Sequence, residues 1–148
     1  MFYFAYGGNT NPKVIMKNYF MTKKSTKGKL LNHKLVFRKV DSSLKIEESY
    51  CDVEEEKGSH VEGIIYTTTK EDILKFDKQE KVGELYDREL VDIEDEYGNH
   101  LSCYMYKMIN RDFPYGHPSM RYYKIVLEGY MENLLPISQI VNAVKLIK

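Results

Sequence analysis

Phe2-Tyr3-Phe4-Ala5-Tyr6-Gly7-Gly8-Asn9 opens the chain with five apolar or aromatic residues that stop at a glycine pair. A run this short and this apolar reads as a fully buried strand. Gly7-Gly8 ends it, because residues without a Cβ reach backbone angles that others avoid. Asn9, Thr10 and Asn11 supply cap candidates and Pro12 suits a first helical position. A short helix is therefore expected from about Pro12 to Phe20, with Ile15, Met16, Tyr19 and Phe20 on its inward side.

Outward from this start, Met21 to Gly28 is polar and lysine-rich and reads as a loop. Leu31, His33, Leu35 and Phe37 then alternate with polar neighbours as in a half-buried strand. Asp41 to Ser59 is the least regular stretch, and its Glu54-Glu55-Glu56-Lys57-Gly58 run reads as a solvated loop. Val61 to Thr67 alternates apolar residues around Gly63 and is a strand. Thr68 and Thr69 each precede an acid by three residues, the capping-box spacing that starts a helix running to about Lys78. Val91 and Ile93, Tyr97-Gly98-Asn99, then Leu101, Cys103 and Met105 spell a β-hairpin. Asp112 to Pro118 forms a rigid loop, Ser119 caps a helix to about Asn133, and Pro136 restarts a last helix with Ile137, Ile140, Val141, Val144 and Ile147 on one stripe. The order strand, helix, strand, strand, helix, hairpin, helix, helix lacks strict βα alternation. It predicts an α+β domain over residues 1–148, a small mixed or antiparallel sheet, open or curled into a barrel, with helices packed on it.

Composition narrows the partners. The 148 residues carry 22 Lys+Arg against 22 Asp+Glu, so the formal charge is zero, which argues against a nucleic-acid or anionic-membrane footprint. No stretch approaches the ~20 apolar residues of a membrane span. Cys51 and Cys103 form no Cys-x-x-Cys pair and read as two buried thiols, not a zinc knuckle or a redox motif. The apolar N-terminus lacks the basic region and the length of a signal peptide, so a cytoplasmic protein is expected. Phosphate-loop, dinucleotide, zinc-protease and hydrolase-elbow motifs are missing, and His33, His60, His100 and His117 are scattered. Tyrosine is abundant, at 13, with no tryptophan.

Two features are candidates for chemistry, each with a plain alternative: a tight strand-to-helix turn at Tyr6–Asn9, and one more surface charge at Glu80 among the polar Lys78, Gln79 and Lys81. Tyr6-Gly7-Gly8-Asn9 lies at a strand exit, where backbone N–H groups converge on an anion or a polarised carbonyl. Glu80 lies four residues after Phe76 and seven after Ile73, so continued helical geometry places its carboxylate on the apolar face. Partial desolvation there would raise its pKa toward the range of a general acid or base. Asp77 is the second candidate carboxylate, four residues after Ile73, and equally suited to orienting neighbouring groups.

In this order and spacing, these features resemble the γ-glutamylcyclotransferase family, whose members carry Tyr-Gly-Ser-Asn after the first strand and later Asp-x-x-Glu-Gly-Val with a tyrosine beyond. Here the segments read Tyr6-Gly7-Gly8-Asn9 and Asp77-Lys78-Gln79-Glu80-Lys81-Val82, with Tyr86 following. The Val61–Tyr66 strand and Pro118-Ser119-Met120-Arg121-Tyr122 also look like family segments. The resemblance implies a small mixed β-barrel flanked by helices, with Glu80 as the catalytic carboxylate. It implies that Tyr6, Gly7, Gly8, Asn9 and Thr10 hold substrate and that Tyr86 and Tyr122 line the pocket. It further implies a small γ-glutamyl substrate cyclised to 5-oxoproline, no metal and no organic cofactor; with no coiled coil or clear apolar stripe in the sequence, a monomer or homodimer is expected. Gly8 stands for the family's serine and Lys81 for its glycine, so a non-catalytic binding module on the same barrel is the alternative. The departing amine's pocket is expected around Asp112–Pro118.

Overall fold

The computed structural model describes residues 1–18, 24–40 and 48–148. In chain order these form β1 (Phe2–Ala5), α1 (Pro12–Asn18), β2 (Ser25–Lys39), β3 (Ser49–Thr67), α2 (Lys70–Gln79), β4 (Tyr86–Asp95), β5 (His100–Met108), α3 (Met120–Glu132) and α4 (Ile137–Lys145). The strands close into a barrel in the order β1-β3-β2-β4-β5. All hydrogen-bonded neighbours are antiparallel except the closing pair, where β1 meets β5 in parallel at Tyr3 and Tyr104. The sheet is thus mixed and closed, an α+β barrel flanked by helices. Closure matters for so short a strand as β1, since it leaves no unpaired edge.

β2 and β3 form a long hairpin that curls across the barrel. β2 begins at Ser25, inside the segment whose lysines suggested a loop through Gly28. Gly28 faces both Gly63 of β3 and Asp95 of β4. A Cβ there would fall 2.7 Å from both Ile65 and Ile93, so a glycine lets β2 bend between its two partners. The alternation expected through Leu31 also breaks, because Asn32 adopts φ 57 and the register shifts between Leu31 and His33. Leu30 is buried and Leu31 is exposed.

The acidic run is strand and not loop, although Glu55 to Gly58 are exposed as expected. Glu54 and Glu55 pair with Lys34 and His33, and the extra residues bulge opposite Asn32, whose side chain accepts from the Gly58 amide at 3.0 Å. Glu54 accepts from Arg38 Nη2 at 2.8 Å, within a buried ionic cluster. Arg38 Nε and Arg111 Nη1 reach Asp52 Oδ2 at 3.1 and 3.3 Å, while the Met108 amide donates to the other oxygen. Arg38 Nη1 also donates to the carbonyls of Arg111 and Phe113. Burial alone would raise the Glu54 carboxyl, but hydrogen bonds from Tyr115 and Arg38 hold it below the usual range.

The helices start where their caps predict. Thr69 accepts from the Asp72 amide at the head of α2, and Ser119 accepts from the Tyr122 amide at the head of α3. On α1, Ile15 is buried but Met16 is exposed; Tyr19 and Phe20 lie outside the described residues. On α4, Ile140 and Ala143 carry the contact and Val141 turns outward. Gly129 of α3 sits against the turn after β1, where a Cβ would be 2.3 Å from Thr10 Oγ1. Cys51 and Cys103 are buried, free thiols.

Candidate active site

The chain after β1 folds into a single 3-10 turn, Gly8–Thr10, held by the Thr10 amide on Gly7 O and the Asn11 amide on Gly8 O. Such a turn uses its later amides internally, so those of Gly8 and Asn9 are the ones left without a partner inside it. Its carbonyls are taken by groups distant in sequence. Tyr130 hydroxyl donates to Tyr6 O at 2.7 Å, Tyr66 hydroxyl to Asn9 O at 2.9 Å, and Asn133 Nδ2 to Thr10 O at 2.7 Å. Asn11 Nδ2 donates in turn to Ile125 O on α3. The turn is fixed from several sides before any ligand arrives.

Glu80 comes to the same place from α2. Its amide still donates to Phe76 O at 2.8 Å, so helical geometry carries one residue past Gln79 and points the side chain to the side of the fully buried Phe76. The helix then stops in a Schellman arrangement, with Val82 N on Asp77 O and Lys81 N on Lys78 O. This puts Lys81 at φ 50, the left-handed position that glycine ordinarily occupies. The helix ends at Gln79, one residue past the expected Lys78, with a lysine in place of the usual glycine.

Glu80 and the turn face each other across a cavity of about 630 Å³. Asn9 bridges them: its Nδ2 donates to Tyr3 hydroxyl at 2.9 Å and lies 3.4 Å from Glu80 Oε1. Desolvation pushes the Glu80 carboxyl up to about 7. Asp77 plays a different part. It accepts from Tyr106 hydroxyl at 2.7 Å and pairs with Arg88, which anchors α2 to the barrel outside the cavity.

Tyr6, Gly7, Gly8, Asn9, Tyr86 and Tyr122 all line the cavity. Thr10 does not: it is fully buried, and its hydroxyl donates to Gly7 O, so it braces the turn. The three tyrosine hydroxyls are already engaged. Tyr6 donates to Tyr106 O, Tyr86 donates to Cys51 O at 2.8 Å, and Tyr122 accepts from the Cys51 amide at 3.2 Å. Burial lifts all three well above the usual phenol range, so they stay neutral and present rings and fixed dipoles to the cavity.

Sequence reasoning missed Cys51, whose peptide is clamped by Tyr86 and Tyr122 at the cavity floor. It explains Gly7, since a Cβ on that residue would be 2.9 Å from Cys51 Cβ and 3.1 Å from Tyr122 Oη. Burial pushes the Cys51 thiol up to about 12, which keeps it protonated and unreactive. Also missed were Val14, Tyr50 and Ile125, which complete the wall. No pattern marked them, because they come from three separate elements. The Asp112–Pro118 loop lies elsewhere, bonded to Lys39 and Phe37 beside the Arg38 cluster; Val40 and Glu48 border the cavity instead. Among the described residues no three His, Cys, Asp or Glu side chains converge to hold a metal ion, and no helix is long and apolar enough to cross a membrane.

A closed five-strand barrel, entered by a glycine turn and faced by a carboxylate from the end of α2, is a γ-glutamylcyclotransferase-like fold. The chain belongs to the AIG2-like family, whose model matches residues 60–141. It is similar to a solved gamma-glutamyl cyclotransferase, with 25% identity and a TM-score of 0.80 over 100% of this chain and 88% of that one. A human protein, loc79017, is 26% identical with a TM-score of 0.78, covering 99% of this chain and 87% of that one. The fold also recurs in YkqA from Bacillus subtilis, 22% identical with a TM-score of 0.81; all of this chain aligns with 55% of that one. No curated protein sequence matches the chain.

Proposed function

We propose that this protein cyclises the γ-glutamyl group of a small γ-glutamyl amino acid or amine, releasing 5-oxoproline and the free amine, with Glu80 as general acid and base. The observation that carries this reading is the Glu80 carboxyl, raised toward neutrality and 3.4 Å from Asn9 of the glycine turn. A group with that pKa both accepts and returns a proton near pH 7, which an ordinary glutamate does poorly. The substrate holds its own nucleophile, and closing a five-membered ring on the γ-carbonyl is an intramolecular step that needs chiefly a folded substrate.

The bonds balance without water. Glu80 as carboxylate takes a proton from the α-ammonium, and the freed amine attacks the γ-carbonyl carbon. The amides of Gly8 and Asn9 stabilise the oxygen that becomes anionic. Glu80 as acid then protonates the departing nitrogen as its bond to carbon breaks, and the carboxylate so regenerated takes the second proton from the ring nitrogen and passes it to the freed amine, which leaves as an ammonium. No metal or organic cofactor takes part, and the two unpaired thiols suit a reducing compartment such as the cytoplasm.

The test is an assay of 5-oxoproline release from γ-glutamyl amides by the purified protein. Turnover is expected to rise as pH passes through about 7 and the carboxylate forms. Glu80→Gln is expected to lower kcat by about 10²–10⁴. A folded Glu80→Gln variant with full activity overturns the assignment. Ligand-induced stabilisation with no product at any enzyme concentration makes the protein a binding module.

A further inference from the structure

We propose that the mouth of the cavity selects γ-glutamyl amides whose departing amine carries a positive charge, and that Glu48 and Glu84 set this preference. The inference rests on the cyclotransferase reading above. Burial orders the cavity from floor to mouth. Tyr3, Phe4, Tyr6, Cys51, Tyr86 and Tyr106 are buried and form the floor, whereas Glu48, Lys81 and Glu84 are exposed and form the rim. The α-amine and γ-carbonyl must reach Glu80 and the turn, so the departing amine points toward the rim.

The charges there are unbalanced. Among the described residues lining the cavity, Glu48, Glu80 and Glu84 are carboxylates, Lys81 is the single ammonium, and there is no arginine. A carboxylate on the departing amine, as in a γ-glutamyl amino acid, therefore approaches a rim of its own sign, with no bidentate partner among the described residues to receive it. An ammonium approaches two carboxylates. Aromatic surface adds to this: Tyr50 stands on the wall edge-to-face with Tyr122, centroids 4.9 Å apart. Its phenol is raised first by burial and then by the charges of Glu48 and Glu80, which places the ring within the field of both. A tyrosine ring flanked by carboxylates attracts a cation through both its quadrupole and its neighbours.

The experiment compares three γ-glutamyl amides of equal reach, made with propylamine, 1,3-diaminopropane and β-alanine, which leave as neutral, cationic and anionic groups in turn. With the unmodified protein, kcat/KM is expected to rank the diamine amide first and the β-alanine amide last. Solvent-exposed charges at this range give a spread of about three- to tenfold per step, shrinking as salt is raised. In the double variant Glu48→Gln, Glu84→Gln the ratio of cationic to anionic substrate is expected to fall toward one. A β-alanine amide processed as fast as the diamine amide overturns the proposal, as does a ratio that the double variant leaves in place. Product from none of the three overturns the cyclotransferase reading and this inference with it, whereas product in the wrong order overturns this inference alone.

Discussion

Replacing Glu80 by glutamine should make the protein more stable, and the gain should depend on pH in a calculable way. The carboxyl titrates at about 7 in the folded chain against 4.5 for an ordinary glutamate. Between those values the folded state holds a proton that the unfolded state has released. Stability therefore falls as pH rises, beginning near 4.5 and levelling off above about 7. The gap of about 2.5 pKa units at about 1.36 kcal/mol each gives a penalty of about 3 kcal/mol at pH 8. Glutamine keeps the shape and can still accept from Asn9 Nδ2, but carries no charge to desolvate. Urea denaturation of both proteins from pH 4 to pH 8.5 measures the difference directly. Near pH 4 the two curves should agree, and by pH 8 the variant should be ahead by about 3 kcal/mol. Parallel curves across the range would mean that Glu80 titrates like any surface glutamate, and the acid–base argument would fall.

Other perturbations probe the frame of the site. Gly7→Ala drives a methyl to 2.9 Å from Cys51 Cβ and should cost about 1–3 kcal/mol in thermal or chemical denaturation. Gly8→Ser meets the Tyr122 ring edge only at 3.3 Å, so the same measurement should show less than about 1 kcal/mol. Arg38→Met leaves Asp52 buried with one cation fewer and should lower stability by about 3–5 kcal/mol, read as an earlier denaturant midpoint with unchanged slope. Tyr86→Phe strips the donor from Cys51 O and should cost about 1–2 kcal/mol in the same assay.

Much of the barrel was legible because its signals are local. Thr69 and Ser119 announce their helices, and Tyr97-Gly98-Asn99 announces its hairpin, through chemistry confined to a few residues. The readings that failed depended on contacts distant in sequence. Met21 to Gly28 looked like a loop because its lysines are polar, yet β2 begins at Ser25 and Gly28 is squeezed between Ile65 and Ile93. Glu54 looked solvated because its partner, Arg38, lies on another strand. The inward direction of Glu80 followed from helical spacing to Phe76, and one extra residue of helical geometry makes that spacing valid. The tyrosine excess had no such local meaning. Its role emerges only when Tyr66 and Tyr130 are seen holding carbonyls of the turn, and Tyr86 that of Cys51.

The supports of that turn also set an order of events during synthesis. Residues 6 to 11 are made before all of the groups that hold them, which belong to Tyr66, Tyr106, Ile125, Tyr130 and Asn133. Their last partners are made more than a hundred residues later. Closing loops of this length is slow. β1 can pair with β3 once Thr67 is made, but the turn that follows it lacks its last braces until α3 and Asn133 are made. Truncation before Asn133 should leave the turn short of a brace on Thr10 O even though every strand of the barrel is present.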